Sequence, residues 1–490
     1  MSTQAIDNRN RQAQERAARD RGSHEEVADE RAAHERAAHE RAAHDGAAHA
    51  WVARSLKAVW HPCTQMKHHE RLPLIPVARG KGAWLYDRDG HRYLDAISSW
   101  WVNLFGHAND DINAALKAQL DTLEHAMLAG CTHECAVELA ERLSALTQGA
   151  LGHAFFASDG ACAVEIALKM SAHYWRNHGR PEKREFVCVA GGYHGETIGA
   201  LGVTDVALFR TAYDPLIRGA HIVASPDART GQPGEPAAEV AARALENVRE
   251  LFERQGERIS ALIVEPLVQC ATGMAMHDGS YVAGLRKLCD AYEVHLIADE
   301  IAVGCGRTGT FFACEQAGIW PDFLCLSKGI SGGYLPLSLV LSRDEIYAAF
   351  YDDDTARGFL HSHSYTGNPL ACRAALATLD LFERDDVLAS NAKKSAQLMN
   401  ALSPLNERDD VRHLRRTGTI IAFDVTLEGQ AARTFSRRFF EQALSRELLL
   451  RPIGTTVYLM PPYILDAEAI AWLASRTLAT LEATLAEGGC

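Results

Sequence analysis

Between residues 153 and 328 the chain returns repeatedly to a short apolar run: "HAFFAS" at 153–158, "EFVCVAG" at 185–191, "AHIVAS" at 220–225, "ALIVEP" at 261–266, "VHLIADE" at 294–300 and "DFLCLSK" at 322–328. Stretches of helical character separate these runs. Runs this short read as strands, and strands that alternate with helices predict a largely parallel sheet covered on both faces. This pattern constrains the fold more than any other feature, and it predicts an α/β architecture.

The flanking segments read differently. "GAWLYDRDGHRYLDAISSWW" alternates apolar and polar residues around an Asp-Gly pair, which predicts a hairpin at 83–96. "DDINAALKAQLDTLEHAM" and "ECAVELAERLSAL" have helical periodicity. "DARTGQPGE" at 227–235 reads as a surface loop, and from about 385 helices mix with a few strands such as "TGTIIAFDV" and "TTVYLMPPY". The expected organisation is an extension over 1–50, an N-terminal segment over 51–110, a large domain over 111–385 and a smaller C-terminal domain over 386–490. In the extension, "ERAAHERAAHERAAHD" repeats every five residues. Five helical steps overshoot a full turn by about 140°, so neither the histidines nor the alanines share a face. The expectation is a solvated or disordered tract, with metal binding by its histidines the minor alternative.

Composition narrows the function classes. A formal net charge of −13 offers no basic field for nucleic acid. No apolar run reaches the roughly 18–20 residues of a membrane span, and the polar N-terminus lacks the apolar core of a signal peptide. Many of the twelve cysteines fall inside apolar runs. They read as reduced core thiols, so the expected location is cytoplasmic. "CTHEC" at 131–135 is read as packing and capping at a helix start, and no metal site is expected.

Three strands end in an ionisable residue: Glu265, Asp299 and Lys328. They lie roughly 30 residues apart, one crossover unit each. In an open α/β sheet, ligands bind beyond the carboxyl ends of the strands, so Asp299 and Lys328 are expected in one crevice. "SKGISGG" puts small residues after Lys328, leaving space beside its amine. A desolvated lysine loses its proton readily and can form a Schiff base, although a structural ion pair with Asp299 is the plainer alternative. In "FFASDGACAVEIALKM" a strand turns into a helix at Gly160-Ala161, exposing backbone N–H groups to an anion. In "GGYHGET", glycines flank the Tyr193-His194 pair and free the Tyr193 ring to lie against another ring. An amine, an acid to hold a ring nitrogen, a phosphate cradle and an aromatic face together fit pyridoxal 5'-phosphate.

On these motifs the chain resembles the class-III aminotransferases of fold-type I from about residue 56 to its end. "IADEIAVGCGRTG" followed by "DFLCLSKGISGGYLPLS" carries the family's cofactor signature. "WHPCTQM", "DAISSWWVNLFGH", "TGNPLAC" and "RPIGTTVYLMPPYI" are particular to one branch that aminates a long keto acid. The resemblance implies a large domain with a mostly parallel seven-stranded sheet between helices, plus a smaller α+β domain. It implies that Lys328 is the Schiff-base lysine and proton shuttle, and that Asp299 binds the pyridinium nitrogen. Gly160 and Ala161 would cradle the phosphate, helped by His363 and Ser364 from the second subunit of a homodimer. Trp100, Tyr193, Ser362 and Arg451 would line the substrate pocket, with Arg451 gripping a carboxylate. Arg307 and Tyr458 would stand behind them, and Glu265 would orient groups around the cofactor.

The chain departs from the family at three places. Ala161 stands where a serine is common, Ser362-His363-Ser364 where Gly-Pro-Thr is common, and Cys63 at a substrate-contacting position often held by tyrosine. A transaminase of the same class that uses lysine or another diamine as donor is the alternative reading. A phosphate-ligand binding protein or a Schiff-base lyase is the reading from a different class.

Overall fold

The computed structural model describes residues 50–72 and 74–487. The repeat extension lies outside the described residues apart from Ala50. The described residues divide into two compact units, one made of those from Ala50 to Arg79 together with Leu85–Arg92, the other of Gly80–Trp84 and those from Tyr93 onward.

In the first unit, residues 50–58 are helical and a 3₁₀ turn spans Met66–Glu70. Two guanidinium groups, those of Arg54 and Arg88, lie over the Trp51 ring, 4.4 and 4.3 Å from its centroid. The expected Asp-Gly turn is present. Asp87 Oδ1 accepts from the amides of Asp89 and His91, an arrangement that draws the chain round within five residues. Cys63 is exposed and has a φ of +52°.

The second unit contains the seven-stranded sheet. Its strands run, side by side, in the order His153–Ala157, Ser338–Ser342, Phe323–Leu326, His295–Asp299, Ile259–Val264, Glu185–Val189, His221–Val223. All pairings are parallel except those of Ser338–Ser342, which runs antiparallel to both neighbours. The six apolar runs are therefore strands. The seventh, in "LSLVLS", has the same texture but follows the lysine loop directly, with no helix to set it apart.

Side-chain alternation explains why the strands are apolar throughout. Ala261, Ile263 and Ile297 pack with the helix Gly160–Asn177 on one face. Leu262, Val264 and Leu296 pack with the helices Ala237–Gln255 and Gly279–Ala291 on the other. Truncating a fully buried residue such as Leu296 to alanine would cost about 2–5 kcal/mol.

The C-terminal part holds a three-stranded antiparallel sheet, Val411–Thr417, Ile420–Val425 and Thr456–Leu459. Phe423, Val457 and Leu459 share a core with Phe435, Phe439 and Leu473 from the flanking helices. Leu448 and Leu449 pair in parallel with Leu94 and Asp95, tying this part to an early strand. The helix expected over 110–127 stops at Leu120; past it Gln119 Nε2 donates to the Leu123 carbonyl. Among the described residues no helix is long and apolar enough to cross a membrane.

Candidate active site

Strand register brings the ionisable residues together. Asp299 lies opposite Cys325 on one side, and Ala298 lies opposite Val264 on the other. Glu265, Asp299 and Lys328 therefore leave three adjacent strands at the same edge of the sheet. Asp299 is buried; its Oδ2 accepts from His194 Nδ1 at 2.7 Å and its Oδ1 from the Ile301 amide at 3.1 Å. Glu265 Oε2 accepts from the Tyr193 amide and Oε1 from the Cys270 amide, both at 3.0 Å. Burial pushes Glu265 up to about 7 in spite of these donors, which favour the charged form.

Lys328 begins the 3₁₀ turn Lys328–Ser331 with a φ of +48°, in the left-handed region that L-residues avoid. Such backbone strain collects where the surroundings over-determine a functional group. Burial lowers the lysine pKa, while Cys270, Asp299 and Glu265 pull it back up. Its Nζ lies 4.5 Å from the Trp101 ring and makes no hydrogen bond among the described residues. The glycines after it serve a different purpose from the expected one. A Cβ on Gly333 would lie 2.9 Å from the Asn103 backbone nitrogen. The lysine loop therefore presses against the Val102-Asn103 backbone, and the glycine allows that approach rather than clearing space at the amine.

The helix start expected to cradle an anion lies beside the Asp299 strand end. Gly160 and Ala161 open the helix Gly160–Asn177, capped by Asp159, whose carboxylate accepts from the Cys162 amide at 3.1 Å. A Cβ on Gly160 would lie 3.0 Å from the Ile301 side chain, and one on Gly195 (φ +113°) only 2.6 Å from Ala161 Cβ. The helix start, the Tyr193–Gly195 loop and the Asp299-Ile301 strand end thus form one wall. Tyr193 lies on that loop, its hydroxyl donating to Glu196 at 2.8 Å and its ring edge-on to Phe209.

The remaining expected residues divide. Tyr458 is buried, and its hydroxyl accepts from Trp101 Nε1 at 3.2 Å. Burial pushes Tyr458 up to about 12. Trp100 is 49% exposed, and Arg451 is exposed. Arg307 is fully buried and donates to the carbonyls of Pro461 at 2.7 Å and Asn103 at 3.2 Å. Its guanidinium is engaged by backbone, which makes it a clamp on those two segments. His363 is half-buried beside His361, with Nε2 atoms 3.0 Å apart, while Ser362 and Ser364 are exposed. None of these three makes a hydrogen bond to the strand-end residues among the described residues. Cys63 belongs to the first unit.

Sequence reasoning missed His194, Glu196 and Trp101. A glycine on each side of "YH" signalled a shaped loop, but nothing in the sequence showed that the histidine would reach a strand end 105 residues later. Chemically, the group offers a buried amine able to attack a carbonyl carbon. It also offers a carboxylate able to hold an N–H and a helix start able to accept an anion.

Known proteins resemble the chain in sequence and fold. The family model described as Aminotransferase class-III matches residues 65–481. The Helicobacter pylori protein named adenosylmethionine-8-amino-7-oxononanoate aminotransferase is 45% identical over 425 residues, which span 85% of this chain and 94% of that one. The crystal structure of the Methanocaldococcus jannaschii protein of the same name matches with a TM-score of 0.83 at 33% identity, covering 89% of this chain and 99% of that one. An amine transaminase from an uncultivated Pseudomonas species, solved in its PLP-bound form, matches with a TM-score of 0.82 at 33% identity, covering 88% and 99%.

Proposed function

The chain belongs to the class-III aminotransferases, and on that premise we propose that it aminates 8-amino-7-oxononanoate to 7,8-diaminononanoate with S-adenosyl-L-methionine as donor, a step of biotin biosynthesis. The observation that carries the chemistry is the meeting of Lys328, Asp299 and Glu265 at one sheet edge, with Lys328 Nζ free of hydrogen bonds among the described residues. The substrate assignment is supported by relatives of that name from several organisms, the H. pylori protein among them.

The residues present fit pyridoxal 5'-phosphate. Gly195 approaches Ala161 without placing a side chain of its own at the helix start, and Asp299 is held at a fixed angle by two donors. When bound, that cofactor supplies a carbonyl for the amine and a ring that stores the electrons released at the α-carbon. Lys328 is the catalytic residue; its amine anchors the cofactor and carries the proton to and from the substrate carbon. Asp299 holds the ring nitrogen, and Gly160 and Ala161 receive the phosphate at the helix start. Tyr193 covers the ring, while Glu265 fixes the Tyr193 amide. Trp101 and Tyr458 keep water from the amine. Trp100, Ser362, Arg451 and Cys63 take the substrates, with Arg451 on the carboxylate of the keto acid.

A homodimer completes this reading, a second copy contributing His363 and Ser364 to the phosphate. Leu360 and Tyr365, which flank that loop, are 79% and 66% exposed, as expected of residues that another copy covers. Residues 111–385 form the cofactor-binding domain in this reading, with 51–110 and 386–490 in the smaller one. The buried thiols of Cys188, Cys289, Cys314 and Cys325 suit a reducing, cytoplasmic setting.

A second reading, a transaminase that takes lysine or another diamine as donor, is favoured by the likeness to the amine transaminase and by Cys63 in place of a tyrosine. One experiment separates the two. The purified holoenzyme should absorb in the visible, and Lys328→Ala should lose that band. Mixing the parent with adenosylmethionine or with lysine should bleach it in the first case. Bleaching by lysine alone would refute the adenosylmethionine assignment, and a colourless holo preparation would refute the cofactor.

A further inference from the structure

We propose that Asp95 is a positioning residue for amine transfer. Its buried carboxylate locks Ser98–Trp101 into a left-handed turn, and that turn sets Trp101 against Lys328. The inference rests on the reading of Lys328 as the reacting amine.

Four consecutive residues, Ser98, Ser99, Trp100 and Trp101, have φ values of +51°, +45°, +71° and +74°, and none is glycine. L-residues visit this region singly, not in runs, so the local chain opposes the turn and something outside it must hold it. Asp95 does so. Its Oδ1 accepts from the Ser99 amide at 2.8 Å, and its Oδ2 accepts from the Ser99 hydroxyl at 2.6 Å. The same Oδ2 accepts from His107 Nε2 at 3.1 Å. Asn103 Nδ2 donates to His107 Nδ1 at 3.1 Å, which leaves the proton of the ring on the nitrogen facing Asp95.

Two contacts carry the turn into the site. The two residues that follow it, Val102 and Asn103, abut Gly333, five residues beyond Lys328 on the lysine loop. The Trp101 ring lies 4.5 Å from Lys328 Nζ, with its indole N–H directed at the Tyr458 hydroxyl. Among the described residues the Asp95 carboxylate hydrogen-bonds to Ser99 and His107 and not to the Lys328 amine. Its role is to hold a backbone conformation that the reaction needs and the sequence "SSWW" disfavours.

The discriminating change is Asp95→Asn, which keeps size and one acceptor oxygen but turns an amide N–H toward donors. Adding Ser99→Gly supplies a residue for which a φ of +45° carries no penalty, so it should restore the turn without the clamp. In single-turnover kinetics, Asp95→Asn should raise the half-saturating amine concentration about tenfold and lower the limiting rate about tenfold. The apo-protein should lose tryptophan signal in near-ultraviolet circular dichroism. Asp95→Asn/Ser99→Gly should recover most of all three.

A fall in melting temperature with dichroism and both constants within twofold of the parent would overturn the proposal. A double variant no better than Asp95→Asn would overturn it as well. If Asp95→Asn does not accumulate folded, Ser99→Ala is read in the same way: about threefold losses are expected, and unchanged constants overturn the idea. The kinetics use whichever primary amine bleaches the parent fastest. Failure of adenosylmethionine then counts against the substrate reading alone.

Discussion

Nδ1 of His194 lies 2.7 Å from Oδ2 of Asp299, and both side chains are buried. The Ile301 amide holds the other carboxylate oxygen. Asp299 is thus aimed from two sides, once by its own strand end and once by the loop that carries Tyr193. A residue that holds the acid in this way should matter to the reaction without touching substrate.

His194→Ala removes that donor while leaving the Ile301 amide in place. Loss of one buried hydrogen bond is worth about 1–3 kcal/mol, which corresponds to a rate loss of about 5- to 150-fold if the bond serves the transition state. Stopped-flow bleaching of the holoenzyme by an amine donor measures it. A rate within twofold of the parent would show that Asp299 is aimed adequately by its own strand.

Two buried carboxyls, Glu265 and Glu300, are both pushed up to about 7 by burial. Glu300 accepts from the amides of Ala313 and Cys314. An unfolded glutamate titrates near 4.3, so between about 4.3 and 7 the folded chain binds the proton more tightly. The stability from that difference is fully present below about 4.3 and is lost as pH rises through 7. The denaturant midpoint of the apo-protein should therefore decline between pH 5 and 8 less steeply for Glu300→Gln than for the parent. Equal slopes would mean that Glu300 titrates as it does in water.

Gly195→Ala tests the cradle. The new Cβ would adopt a φ of +113° and meet Ala161 at 2.6 Å, so the Tyr193–Gly195 loop must move from the helix start. Cofactor affinity, measured by titrating apo-protein and following the visible band, should fall at least about tenfold, a shift of about 1.4 kcal/mol. Unaltered affinity would place the phosphate elsewhere.

Cys63→Tyr tests donor choice. A phenol is larger than a thiol and hydrogen-bonds more strongly, so the ratio of half-reaction rates with adenosylmethionine and lysine should change more than cofactor affinity does. If both donors keep their parent rates, Cys63 only packs.

Much of the site was legible because burial imposes a simple pattern. An ionisable residue at the end of an apolar strand stands out, and Glu265, Asp299 and Lys328 were found in this way. The helix start at Gly160 was legible because a strand, a Gly-Ala pair and a helical run follow one another without a gap. Residues whose role depends on distant backbone were not legible. Arg307 reads as a residue behind the pocket, but nothing in the sequence shows that its guanidinium binds the carbonyls of Pro461 and Asn103. The glycines after Lys328 read as space for the amine, yet Gly333 answers to Val102 and Asn103. "SSWW" carries no signal for a left-handed turn at all, because the group that compels it, Asp95, looks in sequence like the end of an ordinary strand.

The Ser98 hydroxyl donates to the Met460 carbonyl, 362 positions further along the chain, and Trp101 reaches Tyr458 across 357. During synthesis at about 5–20 residues per second, roughly 20–70 seconds separate the emergence of these partners from the ribosome. The tryptophan wall of the crevice must wait that long for its far anchors, even though the parallel sheet can assemble before them. A nascent chain therefore passes through a stage with its lysine in place and its wall unfinished, and a truncation that removes the last strand should leave a folded sheet without a competent enzyme.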